Sequence, residues 1–159
     1  MFKKLLTTRS LCISAAIAAL YAALTVLLAP ISYGPVQCRI SEAMTLLPIL
    51  LPQAVPGLFI GCVIANLFTG MITDVIFGSL ATLIAALGTF LLRKKPLLAA
   101  ACPVIANGVI VGLVLSLSSG LPIALTMGQV ALGEVAAVAL GGVLLSALKR
   151  TGLNLHQPF

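Results

Sequence analysis

Apolar runs about as long as a membrane crossing follow one another along most of this chain, and each needs roughly 20 residues to span a bilayer. Five are plain: residues 11–29, 54–69, 75–92, 97–117 and 121–148. A sixth, residues 41–51, is shorter and contains Pro48. Nine basic and three acidic residues, 8% of the 159, leave too little charge to cover a water-facing surface. With 61% hydrophobic residues and a mean hydropathy of +1.25, the solvent of this fold is lipid. The run at 11–29 could pass for a signal peptide, but its full-span length and the membrane character of everything after it favour retention.

The net charge of +6 does not point to nucleic acid, because the basic residues form short groups at the ends of apolar runs and have no interleaved aromatics. Lys3, Lys4 and Arg9 form one group, Arg93, Lys94 and Lys95 a second, and Lys149 and Arg150 a third. Such groups mark cytoplasmic loops. For the first two to share one side, an even number of crossings must separate them, so the short segment 41–51 counts as a span. The predicted fold is an all-α membrane protein: a single membrane domain over residues 1–159, built as a bundle of six transmembrane helices with both termini cytoplasmic. The helices are expected near residues 10–29, 41–51, 54–70, 74–92, 97–117 and 122–148.

Arg39 alone lies outside these groups, in a Gly- and Pro-bearing stretch read as a structured outer turn over residues 33–39. Small residues recur every fourth position: Ala15, Ala19 and Ala23; Gly57 and Gly61; Gly108 and Gly112; Ala137 and Gly141. This spacing lets helix backbones approach closely, inside the bundle or against a partner. Cys12, Cys38, Cys62 and Cys102 are widely separated and read as packing residues; His156, in the polar tail, reads as solvated.

Ionisable and amide side chains inside a membrane need a reason, since each costs about 3 kcal/mol on insertion scales. Glu134 is expected about 17 Å down the last helix and Asn107 about 16 Å up the fifth, both near mid-membrane. Asn66 and Gln129 fall in the outer third of their helices, and Glu42 and Asp74 begin helices at the outer face. Together they describe a pocket opening outward over an apolar inner half, beneath the 33–39 turn. Each residue also has a bland reading. Asn66 and Asn107 could simply bond neighbouring helices, Asp74 could be a helix N-terminal carboxylate, and Arg39 with Glu42 could be a surface ion pair.

Catalytic motifs are missing. There is no GxxxxGK[ST] phosphate loop, no HExxH, no GxSxG and no acid cluster for a metal, which argues against an enzyme. Two transport readings remain at this level: a ligand-binding subunit, or a stand-alone proton-coupled secondary transporter built on Glu134.

Three strings add a family resemblance: Tyr33-Gly34-Pro35-Val36-Gln37-Cys38-Arg39-Ile40-Ser41-Glu42-Ala43, Ile60-Gly61-Cys62-Val63-Ile64-Ala65-Asn66, and Asp74-Val75-Ile76-Phe77-Gly78-Ser79-Leu80-Ala81-Thr82. With Asn107-Gly108-Val109-Ile110-Val111-Gly112 and Gly133-Glu134, they make residues 10–150 resemble the QueT family. Cys38, where an aromatic residue is expected, and Gln53, where Glu is expected, depart from the pattern. The resemblance implies a prokaryotic plasma-membrane S-component of an energy-coupling factor (ECF) transporter. Such a chain captures a queuosine precursor, a 7-deazaguanine base, from outside. It carries no cofactor of its own; a transmembrane coupling subunit and two ATPase subunits supply ATP-driven uptake. Ala15, Ala19 and Ala23 would dock the coupling subunit. Glu134 or Glu42 would accept from the ring N–H and amine of the base, and Asn107, Asn66 or Gln37 would donate to its carbonyl. Tyr33, Arg39, Asp74 and Gln129 complete the expected site.

Overall fold

A computed structural model describes residues 7–33, 38–68, 70 and 72–150. Among them the regular structure is entirely helical. Helix α1 spans Thr8–Leu27 and is followed by a single turn, Ala29–Ser32. A 3₁₀ helix covers Ile40–Ile49, α2 Ala54–Leu67, α3 Ser79–Leu91, α4 Pro96–Ser119 and α5 Ile123–Arg150. A π turn at Asp74–Gly78 leads into α3.

Local sequence accounts for the ends. The Thr7 side chain caps α1 by accepting from the Ser10 N–H, and Pro96 opens α4, where a missing N–H is harmless. Gly120 closes α4 in the left-handed conformation, at φ 70°, which a side chain would resist.

Four helical segments are long and apolar enough to cross a membrane: Thr8–Leu27, Asp74–Leu91, Pro96–Ser119 and Ile123–Arg150. Their outward faces carry exposed Leu27, Leu91, Leu97, Leu117, Leu132 and Val143, a girdle suited to lipid. Ile40–Ile49 and Ala54–Leu67 are apolar but shorter. Cross-links between elements define two ends of the bundle. Ser14 in α1 donates to the Gln53 carbonyl just before α2, while Thr25 near the other end of α1 donates to Ser41. Arg9, Arg93–Lys95 and Arg150 therefore stand at the end opposite the Arg39 segment.

The expected helix at 41–51 is instead ten residues of 3₁₀ helix, with every residue from Ser41 to Ile49 buried. It is the axis of the bundle rather than a lipid-facing strut, and it touches all five α-helices. Pro48 favours this form, because it lacks the N–H that a continued α-helix would bond and its ring crowds the preceding turn. The threefold repeat stacks residues three apart on one side. Met44 and Leu47 pack with Ile17 and Tyr21 of α1, and Leu46 and Ile49 with Ala99 and Leu145. Glu42 and Thr45 share the third side. At about 2.0 Å per residue, ten residues rise about 20 Å, more than an α-helix of that length.

The small residues at four-residue spacing sit where helices cross. A Cβ on Gly57 or Gly61 would meet the Ser14 or Ala18 carbonyl oxygen of α1 at 2.7 and 2.8 Å. On Gly112 it would come within 2.6 Å of the Met127 Cα, and on Gly141 it would run into the Ala43 carbonyl of the 3₁₀ helix. Ala15, Ala19 and Ala23 differ, for they lie exposed on the outer face of α1. The end of the bundle near α2's start also holds a polar group that the apolar inner half did not lead us to expect: Ser10, Ser14 and Gln53, with the Gln53 amide donating to Ser10 Oγ.

Candidate functional site

Four polar side chains from three elements converge on one small cavity. Arg39 and Glu42 enter from the start of the 3₁₀ helix, Asn107 from the middle of α4 and Glu134 from α5; Val111 and Val130 form its apolar walls. All four polar residues are at most 5% exposed. The Asn107 amide donates to Glu134 Oε1 at 2.9 Å. Glu42 Oε1 accepts from the Tyr21 hydroxyl, and from Thr82 Oγ1 at 3.0 Å. One oxygen of each carboxylate is thereby fixed by the protein.

The other oxygens are not. Glu42 Oε2, Glu134 Oε2 and Asn107 Oδ1 are buried acceptors with no hydrogen-bond partner in the protein, and Arg39 Nε and Nη2 are buried donors in the same condition. Leaving such groups unmet costs about 1–3 kcal/mol each. Their concentration at one cavity makes it the candidate site. The cavity holds about 10 Å³, room for about one water molecule.

Arg39 is braced from behind. Its guanidinium lies 3.9 Å from the Asp74 carboxylate and 5.1 Å from the centre of the Tyr33 ring, and Tyr33 in turn donates to the Ala65 carbonyl at 3.2 Å. The alternative reading of Arg39 and Glu42 as a surface ion pair does not hold: both are buried, and the carboxylate in ion-pair distance of Arg39 is that of Asp74. Asp74 belongs to the π turn, whose Asp74 carbonyl accepts from the Asn66 amide at 2.8 Å. Asn66 also reaches Ser79 Oγ at 3.4 Å. It is thus committed to holding the α2–α3 junction and does not line the cavity.

Among the residues expected from sequence, Glu134, Asn107, Glu42 and Arg39 meet at the cavity, with Asp74 and Tyr33 behind Arg39. Gln129 is half-buried and does not line it; five residues from Glu134 on α5, it points about 140° away. Gln37 lies outside the described residues. Nothing in the sequence marks Tyr21 or Thr82 as site residues, because each sits in an apolar run where a lone hydroxyl signals nothing about the carboxylate that will face it. Cys38, in the same approach segment, places its Sγ 3.7 Å from the Gly133 carbonyl, next to Glu134 in sequence. Among the described residues no group of three His, Cys, Asp or Glu could hold a metal.

A second feature lies outside the bundle. An apolar groove of about 830 Å³ runs between α1, α2 and α3, bordered by Ala15 and Ala19 with Phe59, Ile60, Leu83 and Leu87. Ala23 borders an adjoining groove of about 380 Å³ with Val26 and Phe68.

Comparison with known proteins adds a family and a relative. The family model described as QueT transporter matches residues 11–150. A Lactococcus lactis subsp. cremoris (strain MG1363) protein named queuosine precursor transporter QueT is 32% identical over 156 residues, covering 88% of this chain and 92% of its own. No solved structure matches.

Proposed function

Because this chain belongs to the QueT transporter family and is a multi-pass membrane protein, we propose that it is the substrate-binding S-component of an ECF-type importer, and that it captures a 7-deazaguanine queuosine precursor at the Glu42–Asn107–Glu134–Arg39 cavity. The observation that carries this reading is the set of unmet hydrogen-bonding atoms around that cavity. A 7-deazaguanine presents a ring N–H beside an exocyclic amine, which one carboxylate accepts side by side, and a carbonyl that needs a donor. Asn107 and Asn66 already use their amides within the protein, so Arg39 is the better donor to that carbonyl.

In this reading the bundle crosses the membrane six times with both ends cytoplasmic, and the 3₁₀ helix is a crossing sheathed by the other helices. The cavity is far smaller than the roughly 300–1,000 Å³ of drug-sized sites, so it widens on binding. Close approaches of Gly108 to Ala131 and of Gly112 to Met127 hold α4 and α5 together.

Glu134→Gln is expected to weaken binding of a 7-deazaguanine more than tenfold. A hydrogen bond to a charged group contributes about 1.5–3 kcal/mol, and 1.4 kcal/mol is tenfold. Calorimetry on the detergent-solubilised chain reads the effect, and unchanged affinity in the variant would move Glu134 to a structural role. Native mass spectrometry should find a co-purified base of this class.

The energy source is proposed to be external: a coupling subunit seats on the exposed Ala15, Ala19 and Ala23 face, with two ATPase subunits behind it. Ala19→Leu should then reduce co-purification with the host's coupling subunit at least several-fold while leaving base binding intact. Uptake into proteoliposomes containing this chain alone, driven by a pH gradient, would overturn the S-component assignment.

A further inference from the structure

We propose that the apolar groove between α1, α2 and α3 holds one anionic phospholipid, its acyl chains along the groove and its phosphate at the Arg93–Lys95 turn.

The groove has the depth of one bilayer leaflet. It is about 830 Å³, and no charged side chain lines it. One end is bordered by Leu11 at the start of α1, Val55 at the start of α2 and Phe90 near the end of α3. Ala19, Ile64 and Leu83 border the other. From Val55 to Ile64 the chain rises about 14 Å at 1.5 Å per residue, nearly half of the roughly 30 Å hydrocarbon core. Leu11, Ile60 and Leu87 on its walls are exposed, so an acyl chain enters from the side and meets apolar surface on more than one face.

Charge selects the kind of lipid. The Arg93 guanidinium lies 4.7 Å from the centre of the Phe90 ring, and Phe90 is part of the groove wall. Lys94 and Lys95 follow it and are exposed. The chain has three acidic residues, Glu42, Asp74 and Glu134, and all of them lie at the polar cavity or behind Arg39. No acidic side chain therefore stands at the basic end to neutralise this turn. An anionic headgroup supplies the counter-charge, because clustered basic residues beside a cleft between helices attract lipid phosphates. The adjoining groove at Ala23 has no charged residue on its walls, so the headgroup is specified at one end only. In the six-span arrangement proposed above, that end belongs to the inner leaflet. Ala15 and Ala19, assigned above to the coupling subunit, border the same groove, so the lipid is the occupant of the uncoupled chain. The lipid site does not depend on which solute the polar cavity takes.

Native mass spectrometry of the full chain in detergent tests this with phosphatidylglycerol and phosphatidylcholine of identical acyl chains, offered at equal concentration. One phosphatidylglycerol is expected to stay bound per chain, at about fivefold or more the occupancy of phosphatidylcholine. Arg93→Gln with Lys94→Gln should bring the two lipids to within about twofold of each other. Lys149→Gln with Arg150→Gln removes as much charge from the same end, but from α5, and should leave the preference intact. Leu87→Trp, which fills the groove, should reduce both adducts several-fold. Equal occupancy by the two lipids in the wild-type chain would overturn the proposal. So would a preference that survives Arg93→Gln with Lys94→Gln, one lost equally in both charge variants, or lipid retained unchanged in Leu87→Trp. Release of the lipid by millimolar inorganic phosphate alone would mark a free-anion site instead, and a second copy of the chain or a host coupling subunit bound in place of lipid would also overturn it. The wild-type comparison stands even where a variant fails to fold.

Discussion

Arg39→Met is expected to lower the stability of the fold by about 3–5 kcal/mol and to abolish base binding, because it leaves buried carboxylates without their counter-charge. Arg39 is 5% exposed and Asp74 13%, so water does little to compensate for the lost guanidinium. The methionine fills a similar volume, which separates the loss of charge from the loss of packing. For a chain of this size the shift in thermal midpoint is on the order of 10 °C. Cys62 offers the readout, since it is fully buried and its thiol becomes reactive to a maleimide dye only on unfolding. Arg39→Met combined with Asp74→Asn should recover part of the stability, since it removes one of the orphaned charges, but none of the binding. A single variant that melts with the wild-type chain would show that Arg39 is not the counter-charge of this site.

The second large effect is expected from one methyl group. Gly141→Ala drives a Cβ into the Ala43 carbonyl oxygen, a backbone atom with no rotamer to move to. Overpacking of this kind costs about 1–3 kcal/mol. Here it also displaces the 3₁₀ helix that delivers Glu42, so base affinity should fall along with stability. The control is the next residue. Gly142 on the same helix has nothing within 4 Å of its would-be Cβ, so Gly142→Ala should be neutral or stabilising by up to about 1 kcal/mol through helix propensity alone. Thermal unfolding and calorimetry on the two variants make the comparison. Equal behaviour would mean that α5 and the 3₁₀ helix are not in contact at Ala43.

Both expectations depend on the 3₁₀ helix, where the sequence and the structure part company most clearly. Charge parity demanded a crossing at residues 41–51, and hydropathy alone marked that stretch as short and interrupted by Pro48. Neither could reveal that ten residues would rise further by tightening to three per turn, or that five helices would enclose them. A one-dimensional pattern reports which residues avoid water; it does not distinguish lipid from protein as the apolar surroundings.

The same division runs through the site. That Glu134 and Asn107 would lie deep, and would need partners, followed from composition and helix rise alone, because a carboxylate or an amide amid apolar residues has few places to go. Arg39 stood out as the one basic residue away from the basic groups, and Glu42 and Asp74 as carboxylates at the starts of apolar segments. Which of them face each other was decided by the angles at which helices cross, and those angles are set by contacts between residues far apart in sequence. Gly112 against Met127 and Gly141 against Ala43 bring α4, α5 and the 3₁₀ helix close enough for Asn107, Glu134 and Glu42 to share a cavity. Tyr21 and Thr82 acquire their role only there, as donors to Glu42, while Asn66 is drawn to the α2–α3 junction and Gln129 is rotated away. The sequence by itself determined the solvent, the helical class and the short inventory of polar groups, because those depend on local chemistry. Only the tertiary structure decided which groups meet and which oxygens are left unbonded, because hydrogen bonds depend on distance and direction across elements that the chain order does not encode.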